Sequence, residues 1–419
     1  MAAPDTAETF TPLIANDAIV LGMLATILGF VFWTSSKSTG FWSKFYGIVP
    51  ALLLCYFLPS LLNSLQIING KTSALYPMAR DYLLPSALVL LCVAIDFKAI
   101  VRLGPKAVIM FLTGTVGVML GAVVSLLAMQ VFHPETVAGD TWRGMTTVAG
   151  SWIGGGANQA AMKEVYEVDA TLFGQFVAVD VLVANVWMAV LLFLAARNAA
   201  FDRWTGADTS AIEAVKQRIE SYQAEHTRNP TLTDLMLIIA LGIGATGLAH
   251  AITDPLVDWI KTLPEAWRLR DYSLTAKFFW ITVLATTFGL ALSFTGARKL
   301  EGVGASKVGS LMLYVLVATI GMQMDLGALL ERPWLFVLGL IWMTVHGSLM
   351  LIVAKLIRAP LFFMAVGSQA NIGGAASAPV VASAFHPSLA PVGVLLAVLG
   401  YALGTYCAYL VGLVLMRLA

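Results

Sequence analysis

Long apolar runs alternate with short polar stretches along almost the whole chain. Since about 20 apolar residues cross the hydrocarbon as a helix, ten segments read as spans: near 17–34, 46–66, 81–96, 105–132, 171–196, 231–253, 278–297, 308–324, 334–357 and 388–416. Two further apolar stretches, near 145–165 and 364–385, are interrupted by glycine and by Asn, Gln or Ser: GSWIGGGANQAAM (150–162) and GSQANIGGAASAP (367–379). The pattern predicts an all-α polytopic membrane protein whose architecture turns on these two stretches.

The halves resemble each other. Asp96 and Asp325 are each followed by an amphipathic turn, a proline, a long apolar helix and then a Gly-rich stretch, with GGANQAA (155–161) matching GGAASAP (373–379). A shared order of features is stronger evidence of repetition than any one motif. The expected organisation is a first transmembrane repeat over 1–196 with a hairpin near 145–165, a linker helix over 197–230, and a second repeat over 231–419 with a hairpin near 364–385. Cytoplasmic loops are rich in Lys and Arg. If both Gly-rich stretches dip in and return, 15 of the 25 basic residues fall on the inner side; if both cross, the best split is 14 to 11. Five spans per repeat then invert the second repeat relative to the first, place both termini outside, and let two re-entrant hairpins enter from opposite faces between the fourth and fifth helices. In the linker, Ser210 and Glu213 form a capping box ahead of Ile212, Val215, Ile219 and Tyr222 at helical spacing, which predicts a surface tether.

Unpaired backbone groups in lipid cost several kcal/mol each, so broken helices survive at membrane depth only inside protein or beside a wet cavity. Glycine frees the backbone for left-handed turns, and a hairpin tip offers N–H ends to an anion and carbonyls to a cation. Such breaks in matching positions of opposed repeats are the pattern of secondary transporters; the alternative is close helix packing on small residues. The predicted contacts for substrate and ion are Gly154, Gly155, Gly156, Asn158 and Gln159 in the first hairpin and Ser368, Gln369, Asn371, Gly373, Gly374 and Ser377 in the second, with capping as the structural alternative for Ser368 and Gln369. Gly155, Gly156, Gly373 and Gly374 are expected to admit no bulky residue. Asp180 and Asn185 follow the first hairpin, and a buried carboxylate there marks an ion or proton path, with a structural hydrogen bond near the helix end as the alternative; the matching span offers Tyr401, Thr405 and Tyr406. Asp96 and Asp325 read as caps, Lys163 and Glu164 as a local pair at the hairpin mouth, and His250 and His346 as packed histidines.

Composition narrows the classes. With 59% hydrophobic and 12% charged residues and a mean hydropathy of +0.83, a soluble surface is excluded. A net charge of +1 gives no surplus for nucleic acid. The first sixteen residues hold no Lys or Arg, so the first apolar run is expected to stay as a helix. Cys55, Cys92 and Cys407 lie in apolar runs without metal spacing, so neither a cofactor nor a structural metal is expected. Ser306 after Gly304 and Ala305, with His346 downstream, is a poor protease pair at a loop, and HExxH and GxxxxGK are absent. An enzyme is therefore not expected, and a channel is the other rival.

GSWIGGGANQAAM and GSQANIGGAASAP carry a resemblance over essentially the whole chain to the YjcL-like family of uncharacterised bacterial membrane proteins, a domain-of-unknown-function family. More distantly the chain is similar to the sodium/glutamate symporter and citrate carrier families. That resemblance implies a sodium-coupled carrier of small organic anions, a homodimer held by scaffold helices, and elevator-type movement. Ala375, Ala376 and Ala378 stand where a carrier of highly charged anions would show more polar groups. The expected activity is symport of a small organic anion or amino acid with Na⁺ or H⁺ across the inner membrane.

Overall fold

A computed structural model describes residues 12–46, 51–96, 103–207, 229–264, 274–323, 332–386 and 389–419, with isolated residues between. Every regular element among the described residues is a helix. Six are long and apolar enough to cross a membrane: Asp17–Ser35, Pro105–Phe132, Ala170–Ala195, Leu232–Lys261, Trp334–Leu356 and Ala390–Leu418. Counting two bent pairs as one span each makes eight. The chain is thus a multi-pass membrane protein.

The remaining predicted spans are shorter or bent, for local reasons. Ala51–Ser64 contains Pro59, which removes a backbone donor. Leu84–Val93 is entered through the turn Leu75–Met78 and a π turn, Ala79–Leu83. Pro85 has no N–H for the carbonyl of Asp81 four residues back, and His250 Nε2 donates to that carbonyl instead at 2.9 Å. Lys277–Ser293 bends by 94° into the 3₁₀ segment Gly296–Val303, and Ala305–Gly321 follows. Of the predicted linker helix over 197–230, Asn198–Thr205 is a helix, while 208–211 and 213–228, like Asp325, lie outside the described residues.

Packing pairs the halves reciprocally. Asp17–Ser35 lies on Ala51–Ser64 and on Ala305–Gly321, as Leu232–Lys261 lies on Lys277–Ser293 and on Leu84–Val93. Ala51–Ser64 meets Ala305–Gly321 as Lys277–Ser293 meets Leu84–Val93, and Pro105–Phe132 runs along Trp334–Leu356. In that last crossing a Cβ on Gly121 would collide with the Trp342 ring, so glycine sets how closely the two helices approach.

Both Gly-rich stretches are helical hairpins. The first pairs Thr141–Gly154 with Gly156–Val165, and a Cβ on Gly150 would lie 2.7 Å from the Asn158 carbonyl oxygen, so the arms fold back on each other. The second pairs Leu361–Ile372 with Gly374–Phe385. The first hairpin ends just before Ala170, where the Ala170–Ala195 helix begins. At the far end of that helix, Asp202 Oδ1 accepts from the Leu361 N–H at 2.8 Å and caps the start of the second hairpin. The helix between the two bases is 26 residues long, about 39 Å.

Candidate functional site

The hairpin tips meet. Gly155 carries φ 76° and ψ −175°, and Gly374 carries φ 58°, both on the positive side that side chains with a Cβ disfavour. A Cβ on Gly374 would lie 4.0 Å from the Gly155 Cα. Gly156, by contrast, has ordinary φ and only Leu313 at 3.7 Å from an added Cβ, so a methyl group fits there and one residue of the triple glycine makes the turn. Gly154 is held for another reason, since a Cβ there would lie 2.6 Å from the Gly400 carbonyl oxygen of the last helix.

Each hairpin is clamped by an asparagine. Asn158 Nδ2 donates to the carbonyls of Gly154 (2.9 Å) and Tyr401 (3.0 Å), and its Oδ1 accepts from Thr405 Oγ1 at 2.6 Å. Asn371 Nδ2 donates to the carbonyls of Gly367 and Phe111, both at 2.9 Å, and its Oδ1 accepts from Thr115 Oγ1 at 2.8 Å. Both amides are buried with every strong bond made, so they build the tips rather than wait for a ligand.

Asp180 ties the first hairpin to the Ala170–Ala195 helix. Its carboxylate accepts from Ser151 Oγ (2.6 Å), Trp152 Nε1 (2.6 Å) and Gln159 Nε2 (3.0 Å), drawing on both arms. Three donors thus converge on one buried carboxylate. Asn185 stays apart: its amide donates to the Val181 carbonyl of its own helix at 2.6 Å. Ser368 belongs to a neutral network. His346 Nδ1 faces the Gly114 carbonyl at 3.1 Å and so carries the proton there; Ser368 Oγ donates to His346 Nε2 at 2.7 Å and accepts from Trp187 Nε1 at 2.8 Å. His346 is a packed, hydrogen-bonded histidine, and capping does not describe Ser368.

Gln369 differs from its neighbours. Nε2 donates to Ser377 Oγ across the break at 2.7 Å, while Oε1 is buried with no hydrogen-bond partner among the described residues. A buried acceptor left this way costs about 1–3 kcal/mol. A Cβ on Gly373 would collide with Gln369 Nε2 and Ser377 Oγ, so that glycine keeps room for the amide.

At the base of the first hairpin, Lys163 is 6% exposed; its Nζ donates to Tyr76 Oη at 2.5 Å and pairs with Glu164 at 3.0 Å. Tyr76 Oη also donates to Glu164, and Arg80 lies 3.8 Å from the same carboxylate. The local pair is therefore a four-residue cluster bridging the hairpin to the Leu75–Leu83 segment. Asp96 pairs with Arg298 at 2.6 Å, joining the two halves. Ser306 gives its N–H and hydroxyl to Glu301, at 2.9 and 2.7 Å, as a helix cap. At the base of the second hairpin, burial pushes the Asp202 carboxyl above the usual range, and the Leu361 N–H works against that shift. Beside the first hairpin, a cavity of about 180 Å³ is walled by Met162, Val165, Phe279, Val283, Tyr406 and Tyr409. Among the described residues no three His, Cys, Asp or Glu stand close enough to share a metal ion.

Sequence reasoning found Asp180 and both asparagines but missed Trp152, Trp187, Thr115 and Tyr76. A tryptophan or threonine in an apolar span carries no signal of its own; only the neighbouring helix makes it a donor.

Residues 22–418 match a family described as a protein of unknown function, DUF819. The chain is 24% identical over 355 residues to the "Uncharacterized membrane protein YjcL" of Bacillus subtilis (strain 168), an alignment covering 81% of this chain and 83% of that protein.

Proposed function

Because the chain belongs to the DUF819 family, whose description leaves the activity open, its role has to be read from the site, and we propose that it is a secondary active transporter. It carries a small organic anion or amino acid together with Na⁺ or H⁺ by alternating access of the elevator type. One observation carries this reading: two helix hairpins with bases at opposite ends of the Ala170–Ala195 helix touch at their glycine tips. The tips fall beside Gly400 and Gly404, near the middle of the Ala390–Leu418 helix, which supports a meeting point near the midplane. Reciprocal packing of four helices from each half supports two inverted repeats, each with a re-entrant hairpin between its fourth and fifth helices.

In this mechanism the second arms, starting at Gly156 and Gly374, turn their N-terminal N–H ends toward an anion at the tips. Separation of the tips toward one face, then the other, gives access in turn. Asp180 is the coupling carboxylate: buried in the first hairpin's anchor, it responds to a cation or proton by loosening both arms. The homodimer, inner-membrane placement and outside termini belong to the same proposal.

The test is a thermal-shift screen of the purified protein against amino acids, dicarboxylates, sugar acids and peptides, in Na⁺ and in K⁺, followed by uptake of any binder into proteoliposomes. A solute that stabilises only with Na⁺, and is taken up against its gradient, is the expected result. Single-channel current without saturable uptake would replace the carrier with a pore.

A further inference from the structure

Four buried amide side chains line the two hairpins, and the oxygen of one, Gln369, is buried without a hydrogen-bond partner among the described residues. Asn158 and Asn371 have both amide ends bonded, and Gln159 gives Nε2 to Asp180. Gln369, 1% exposed, has Nε2 committed to Ser377 and an acceptor oxygen with no partner. It sits one helical turn before Gly373, with Gly374 against the Gly155 tip. An orphan acceptor at this place is served by a ligand that brings a hydrogen-bond donor. A carboxylate brings none, and the N–H ends of the second arms already suit an anion.

We infer that Gln369 Oε1 receives the amino group of the solute, so that the transported class is amino acids or amino-terminated compounds rather than dicarboxylates or sugar acids. This rests on the transporter reading above and narrows it. The carboxylate of such a solute faces the N–H groups opening the second arm, and its ammonium donates to Gln369. Ser377 keeps the glutamine amide from rotating, which makes it a positioning residue.

The experiment uses the full chain in nanodiscs and the twenty protein amino acids as probes, each binder paired with the analogue in which hydrogen replaces the amino group. Dicarboxylates and sugar acids run alongside. The amino compound is expected to raise the melting temperature and its deamino partner to bind about tenfold or more weaker. In Gln369→Met, which keeps side-chain length without the acceptor, that preference disappears while the ligand-free melting temperature is held; Gln369→Glu retains the preference. Equal binding of both partners by the wild type overturns the inference and leaves the transporter reading standing. That is also the outcome if the Gln369 amide is turned over to present Nε2. Binding of dicarboxylates or sugar acids alone has the same effect. If no solute binds and none is taken up, the inference and the transporter reading fall together.

Discussion

The two hairpins use one clamp in two places. Asn158 sits in the second arm of its hairpin and Asn371 in the first arm of the other, yet each donates to the carbonyl four residues back and to one carbonyl of a helix in the opposite half. Each also accepts from a threonine one turn further along that helix, Thr405 or Thr115. Beyond the clamp they part company. The first hairpin is secured by a carboxylate with three donors and, at its base, by a buried lysine cluster. The second is held by a neutral Ser368–His346–Trp187 network and retains an unmatched acceptor. Charge anchors one hairpin; the other is held by neutral bonds and left one bond short. On the proposed reading, a ligand gains more at the second tip.

The largest effect that would break this contrast is at Asp180. Asp180→Ala strands donors from Ser151, Trp152 and Gln159, and is expected to destabilise the protein by about 3 kcal/mol or more, measured as loss of melting temperature. A small loss would show that the carboxylate does not anchor the hairpin. Next come the turn glycines. Gly155→Val and Gly374→Val force a β-branched residue into positive φ, costing about 1–3 kcal/mol, and are expected to abolish uptake. Gly156→Ala, in ordinary φ, should keep it; normal uptake by both valine variants would sink the tip assignment.

The clamps come third. Asn158→Ala and Asn371→Ala are expected to cost about 1–3 kcal/mol each, and a large difference between their melting temperatures would show that the shared geometry hides unequal roles. The smallest effect is at Asp202. Its folded carboxyl lies above the ordinary value of 3.8, so the native state binds more protons than the unfolded chain. Its share of stability therefore rises as pH falls through the range just above 3.8. Asp202→Asn should remove that slope just above pH 3.8, at the cost of a weaker cap on Leu361. An unchanged slope would deny Asp202 its place at the hairpin base.

Much of this was legible from residue patterns. Gly-rich breaks, their matching positions and the carboxylate after the first hairpin follow from the physics of backbone groups in lipid, which no tertiary detail overrides. Partner choice was not legible. Thr115 and Asn371 are 256 residues apart, and which face of Pro105–Phe132 meets the hairpin depends on helix rotation. GGG likewise does not say which glycine turns; the crossing of Gly154 with Gly400 and Gly404 selects Gly155. Asn185 shows the limit of reading polarity alone, since an amide one turn from Val181 is satisfied within its own helix. His250 answers a proline at position 85, a pairing no local window contains.

The asparagine clamps also set an order of synthesis. When the first hairpin leaves the ribosome, Thr405 is still 247 residues away, about 12–50 s of translation at ordinary speeds. Throughout that interval the Asn158 amide has to be shielded by water at the surface or by the insertion machinery. When Asn371 emerges, Phe111 and Thr115 have already been made. The Asn158 clamp is thus completed late although the Asp180 anchor of the same hairpin is made early, and the Asn371 clamp can lock on arrival. Premature termination anywhere before Thr405 leaves the Asn158 oxygen without its threonine donor.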